Sequence, residues 1–285
     1  GMSRKVLSKP YKKSHRPEQT SQPSLLSRLI NKPDHGRTEN SSSSSRSSLL
    51  EAARYAITAK NPGVGVRDRG CTVNLVISQG SVLDYHHHNG AIVNAANEGC
   101  LGGGGVDGAI SKAGGRALYL DRKALPILKT RQGTSLSVDP DPVRCFTGDA
   151  VITGPNTYGT IGTTHVIHAV GPAYYCYDDL KEADELLYWA YRRSLELARD
   201  AKLEGVGFSL LSSGVFRGQR SLKSVLKIGI EAIHDFAKDS GHRSVSDDNE
   251  FNGVLSVKEV HMCAFTTREL QTLLHAARDL GLVQA

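Results

Sequence analysis

Asn94, Asn97 and Asp107 are the side chains whose types and spacing first suggest chemistry. They bracket "AIVNAANEGCLGGGGVDGAI", residues 91–110. Carboxamides can hold hydroxyls, and a carboxylate can orient a water or take its proton. Four consecutive glycines cost a folded chain backbone entropy, so they argue for a place where something approaches the backbone closely. Their unblocked N–H groups, leading into a helix start, form a cradle for phosphate oxygens. A slack linker is disfavoured, because strand, Asn-Ala-Ala-Asn and helix enclose the glycines.

Other chemistries fit less well. "GGGVDG" at 103–108 formally matches GxGxxG. The dinucleotide fingerprint needs its first glycine at the strand end and an acid at the tip of the next strand. Here nine residues intervene, and the downstream acid Asp121 falls in a helical stretch. GxxxxGK[ST] and GxSxG are both missing, which removes P-loop and serine-hydrolase readings. His86, His87 and His88 read as an exposed turn, since adjacent loop residues do not converge easily on one ion. His165 and His168 alternate with apolar residues on a strand and default to core positions. Nothing near Cys100 suggests an activated thiolate. No metal site is indicated.

The elements that must position these groups alternate between strand and helix. Residues 71–78 and 164–171 read as strands, and "GAIVNA" (90–95) as a strand apolar on both faces. Residues 205–211 and "VKEVHMCAF" (257–265) complete the strands. Helices are predicted after the glycines and on through "RALYLDRKALPIL" (116–128), over 178–201 and 220–238, and in the closing "TRELQTLLHAARDL". Residues 131–162 read as long loops. "SLLEAARYAI" (48–57) has helical spacing with Ser48 as N-cap, predicting an N-terminal helical extension. Alternation of this kind predicts an α/β sandwich with helices on both faces of a central sheet, and ligands at the strand ends.

The first 50 residues stand apart. They carry ten Lys/Arg against three Asp/Glu, or +7 of the net +6, so residues 51–285 hold −1. The basic character therefore belongs to the tail and says little about the domain's ligand. A basic, Ser-rich composition containing "SSSSSRSS" predicts disorder. An organelle-targeting presequence around "SLLSRLINK" (24–32) is the sharper alternative. No apolar run approaches a membrane span. Five cysteines without a CxxC pair favour a reduced compartment.

Three stretches together carry a family resemblance: "AIVNAANEGCLGGGGVDGAISKAGG", "TGDAVITGPN…THVIHAVGPAYY" (147–175) and "LLSSGVFRG" (210–218). The chain resembles macrodomains, the ADP-ribose-binding α/β/α modules, and among them the MacroD-type hydrolases, over roughly residues 71–280. The resemblance implies a three-layer α/β/α domain with a central mixed sheet. It implies Asn97 holding the distal ribose and Asp107 orienting that ribose or the attacking water. Asn94 falls nearer the loop's own scaffold. Gly103, Gly104, Gly105 and Val106 would give backbone contacts to diphosphate and distal ribose. Ser212, Ser213, Gly214 and Val215 would close over the diphosphate, and Phe216 would pack on the distal ribose. The family's Gly-Asp-Ile, whose acid reads adenine, is Gly80-Ser81-Val82 here. The histidine often found after the glycines is Ser111.

The activity so implied is hydrolysis of an ester at the distal ribose C1 of ADP-ribose, without metal or cofactor. Substrates would be O-acetyl-ADP-ribose and proteins mono-ADP-ribosylated on Asp/Glu. A monomer acting inside the cell, in cytoplasm or nucleus, is expected, with neither membrane nor nucleic acid as partner. The rival from another class is a reader that binds ADP-ribosylated partners without turnover. Nucleic-acid binding through the tail is a third reading, and would be lost on deleting residues 1–50.

Overall fold

The computed structural model describes residues 48–59, 72–131, 141–239 and 256–285. The basic tail through residue 47, the loop over 62–70 and most of the loop over 240–256 lie outside these residues.

The strands are β1 (Leu50–Thr58), β2 (Thr72–Gln79), β3 (His87–Ala95), β4 (Lys129–Arg131), β5 (Asp141–Val143), β6 (Ala150–Thr153), β7 (Thr163–Ala169), β8 (Gly205–Phe208) and β9 (Glu259–Ala264). The helices are α1 (Gly105–Ala124), α2 (Leu180–Asp200), α3 (Leu222–Asp239) and α4 (Thr267–Asp279). Seven strands form one mixed sheet in the order β1-β2-β9-β8-β3-β7-β6. Its five inner strands run parallel, and β1 and β6 join the two edges antiparallel. β4 and β5 pair separately.

The continuous apolar run of β3 is explained by its two covered faces. Ala91 and Val93 join the core under α2, α3 and α4, while Ile92 faces Ile110 and Leu118 of α1. β7 repeats the device with Ile167 on one side and Val166 on the other. Period-2 geometry therefore turns Asn94 and His168, two residues beyond Ile92 and Val166, toward α1. The two lie directly opposite each other in the parallel register. None of the helices among the described residues is long and apolar enough to cross a membrane.

Four sequence expectations need correction. The predicted N-terminal helix is strand β1, antiparallel to β2 with a bulge between Glu51 and Ala53. Ala53, Tyr55 and Ile57 are buried in alternation, and this period-2 face overrides the local helix preference of Glu-Ala-Ala-Arg. Of the region read as loop over 131–162, residues 132–140 lie outside the described residues, and the rest contributes β5 and the edge strand β6. His87 and His88 open β3 rather than sitting in a turn. The helix after the glycines ends at Ala124, short of Pro126, and is interrupted at Gly115 (φ 59°, ψ −150°).

Candidate functional site

Asp107 lies in the first turn of α1 and is only 2% exposed. Burying a carboxylate is costly unless it is paired and hydrogen-bonded. One oxygen meets that demand twice: Oδ1 accepts from Asn94 Nδ2 at 2.8 Å and from Arg122 Nη2 at 2.6 Å. The other, Oδ2, is buried without a hydrogen-bond partner. A side chain at Gly103 would start 3.0 Å from this oxygen and 3.3 Å from Asn97 Nδ2. Asp107 and Asn97 thus border one space, and glycine at 103 keeps it open.

Behind Asp107 the proton positions are determined. Asn94 Nδ2 also approaches His168 Nδ1 at 3.3 Å, and His168 Nε2 lies 3.1 Å from Thr153 Oγ1. Flipping the Asn94 amide would set its oxygen against the carboxylate, so its nitrogen must face both partners. His168 Nδ1 accepts, Nε2 carries the proton, and Thr153 Oγ1 donates onward to the Val166 carbonyl. Burial above all, and then the charge of Arg122, hold the His168 pKa well below the usual histidine value.

That depressed pKa has a measurable consequence. Above about pH 7 neither state carries a proton here. As pH falls through about 6.5, the unfolded chain takes up a proton that native His168 refuses, so stability falls. The expected slope for this residue approaches ~1.4 kcal/mol per pH unit. Thermal melts at pH 7.0 and 5.5 should show a smaller loss in His168→Gln than in wild type. His87 and His165, also lowered by burial, leave a residual slope. Parallel profiles in the two proteins would refute the assignment.

Asn97 shapes the front of the loop. Its Oδ1 accepts from the Gly99 and Cys100 amides at 3.1 and 3.2 Å, and its Nδ2 donates to the Gly102 carbonyl at 2.9 Å. These bonds fold 97–102 into a closed turn with Cys100 at positive φ. Gly104 caps α1 with no side-chain hydrogen bond, which leaves the first N–H groups of the helix uncovered for an anion.

The facing wall comes from the loop after β8. Ser212 Oγ donates to the Pro172 carbonyl at 2.8 Å and Ser213 Oγ to the Leu210 carbonyl at 2.9 Å. Both hydroxyls thereby brace the loop. Val215 is 86% exposed. Phe216 meets Tyr175 edge-to-face with ring centres 6.5 Å apart. A cleft of about 540 Å³ opens between Asn97, Gly99, Gly102, Gly171, Arg144 and Phe216, a size suited to a small-molecule ligand. Among the described residues no group of three or more His, Cys, Asp or Glu side chains is placed to hold a metal.

Of the sequence-derived candidates, Asn97 and Phe216 line this cleft, while Asn94 and Asp107 are buried and outside its lining. Ser81 and Val82 form a separate corner. There the Ser81 hydroxyl accepts from the Leu83 amide at 3.2 Å and Asp84 Oδ2 accepts from the Ser81 amide at 3.1 Å. Sequence reasoning missed Arg122, Arg144 and the partnership of His168 with Asn94.

Comparison with known proteins places the whole glycine-loop region within a family. The Macro domain family model matches residues 93–223. A macro domain-containing protein of Caldanaerobacter subterraneus subsp. tengcongensis is 32% identical, covering 71% of this chain and 94% of its own length. An O-acetyl-ADP-ribose deacetylase of Salmonella newport is 40% identical over 58% of this chain and 80% of its own. Among solved structures, the Trypanosoma brucei macrodomain in complex with ADP-ribose is similar with a TM-score of 0.52 at 25% identity. That likeness covers 71% of this chain and 68% of the other.

Proposed function

The chain belongs to the Macro domain family, and from that premise we propose that it binds ADP-ribose and hydrolyses esters carried on its distal ribose. The substrates in this reading are O-acetyl-ADP-ribose and proteins mono-ADP-ribosylated on Asp or Glu. The observation that carries it is Asp107, whose Oδ1 is saturated by two donors while Oδ2 remains buried and unpartnered beneath Gly103. A buried acceptor left open costs free energy unless a ligand or water uses it.

In this reading each part of the site has a role. The uncovered start of α1 and the glycine backbone receive the diphosphate. The distal ribose rests between the Asn97 turn and Phe216. Asp107 Oδ2 accepts a hydrogen bond from a water held against a diphosphate oxygen. As Asp107 Oδ2 takes its proton, that water's oxygen bonds to the ester carbonyl carbon, the C–O bond to the ribose breaks, and the proton passes on to the ribose oxygen, which leaves as a hydroxyl. Free acid and ADP-ribose are the products. Proximity supplies much of the rate, because water and ester are held in one small space.

The deciding experiment incubates the protein with O-acetyl-ADP-ribose and, separately, with a glutamate-linked mono-ADP-ribosylated protein. Release of free ADP-ribose is expected from both. Tight ADP-ribose binding without release would make the protein a reader.

A further inference from the structure

Arg122 is the least expected member of the site. It is fully buried at 1% exposure, and a buried guanidinium needs every contact it can make. Nε donates to the Cys100 carbonyl, Nη1 donates to Ser111 Oγ at 2.8 Å, and Nη2 donates to Asp107 Oδ1 at 2.6 Å. Ser111 Oγ in turn donates to the Asp107 carbonyl at 2.7 Å. One planar group therefore joins the Asn97–Gly102 turn, the body of α1 and the buried Asp107 carboxylate.

We propose that Arg122 is a positioning residue that fixes Asp107 so that only Oδ2 faces the distal-ribose end of the ligand, while holding the Cys100 turn in register with it. Asn94 alone would leave the carboxylate free to swing about a single hydrogen bond. The second donor saturates Oδ1 and removes that freedom. Because the three contacts leave the guanidinium in different directions within one plane, lysine cannot reproduce them. The inference rests on the reading of Asp107 as the group at the distal ribose.

The test combines kinetics with calorimetry on Arg122→Lys, using O-acetyl-ADP-ribose as substrate and ADP-ribose and ADP as ligands. ADP lacks the distal ribose and so reports the rest of the site. Expected is a fall in kcat of about 30-fold with KM rising by no more than about fivefold, as a small misplacement of a reacting group gives. ADP-ribose should bind about fivefold more weakly, with ADP unchanged. In an Asp107→Asn background Arg122→Lys should add nothing further, since the pair acts as a unit. Ser111→Ala removes one brace with little effect on charge and should give the same pattern at about threefold, which serves if Arg122→Lys does not fold. Equal weakening of ADP and ADP-ribose, full retention of kcat, or an effect that persists without Asp107 would overturn the proposal. If the wild type binds but does not turn over, the hydrolase reading fails. The ADP-ribose-selective loss then decides for Arg122, and its absence decides against it.

Discussion

Asp107→Asn is expected to cut hydrolysis of O-acetyl-ADP-ribose by about a thousandfold, the range of a lost acid–base group, while ADP-ribose affinity changes by less than about tenfold. The asymmetry comes from which way the new amide must point. Asn94 Nδ2 and Arg122 Nη2 both donate toward the Oδ1 position. An asparagine satisfies them only by placing its oxygen there, which sends its NH₂ to the position of Oδ2. The water or ribose hydroxyl that needs an acceptor then meets a donor. The binding contacts proposed for the glycine backbone and Phe216 are untouched. Stability should also fall, because Arg122 keeps its hydrogen bond but loses its counter-charge in a buried place. Single-turnover kinetics and calorimetry on the folded variant measure the two losses separately. Losses of equal size would reduce Asp107 to a structural role and favour the reader.

The parts of this site that could be read from sequence are those encoded within a few residues. Asn94, Asn97 and Asp107 sit around one glycine run, and the apolar stretch before Asn94 announces a strand covered on both faces. β1 was misread because Glu-Ala-Ala-Arg favours a helix locally. The alternation of Ala53, Tyr55 and Ile57 that makes it an edge strand was equally present. β6 escaped because four residues between Gly-rich turns carry too little pattern, and it becomes a strand by pairing with β7. Ser81 could be placed, but not the use of its hydroxyl to cap the turn at Val82–Asp84. Arg122 was hidden for a different reason. Its partner is fifteen residues away, a separation that local patterns treat as unrelated. The one available signal was the Gly114-Gly115 pair, a helix breaker inside an otherwise helical stretch.

That breaker carries the second large effect: Gly115→Val is expected to unfold or misplace the distal half of α1 and to lower turnover at least as much as Arg122→Lys. Fifteen residues on one straight helix would separate Asp107 from Arg122 by about 22 Å, beyond the reach of any guanidinium. The two meet because α1 breaks at Gly115, whose φ of 59° and ψ of −150° fall where a β-carbon is strongly disfavoured. Nothing lies within 4 Å of the position a side chain would take there. The penalty is therefore in the backbone itself, about 1–3 kcal/mol for a residue held in such a region. A chain that relaxes this strain by straightening carries Arg122 away from Asp107 and leaves a buried carboxylate with Asn94 alone. Gly281→Val is the control. Its φ of 69° is also positive and its surroundings are also open, but it follows α4 at the far end of the chain. Gly281→Val should lower the melting temperature and leave turnover per folded molecule unchanged. Gly115→Val should lower both. A folded Gly115→Val protein with wild-type kcat would mean that the break in α1 does not set the place of Arg122, and that Asp107 holds its aim without it.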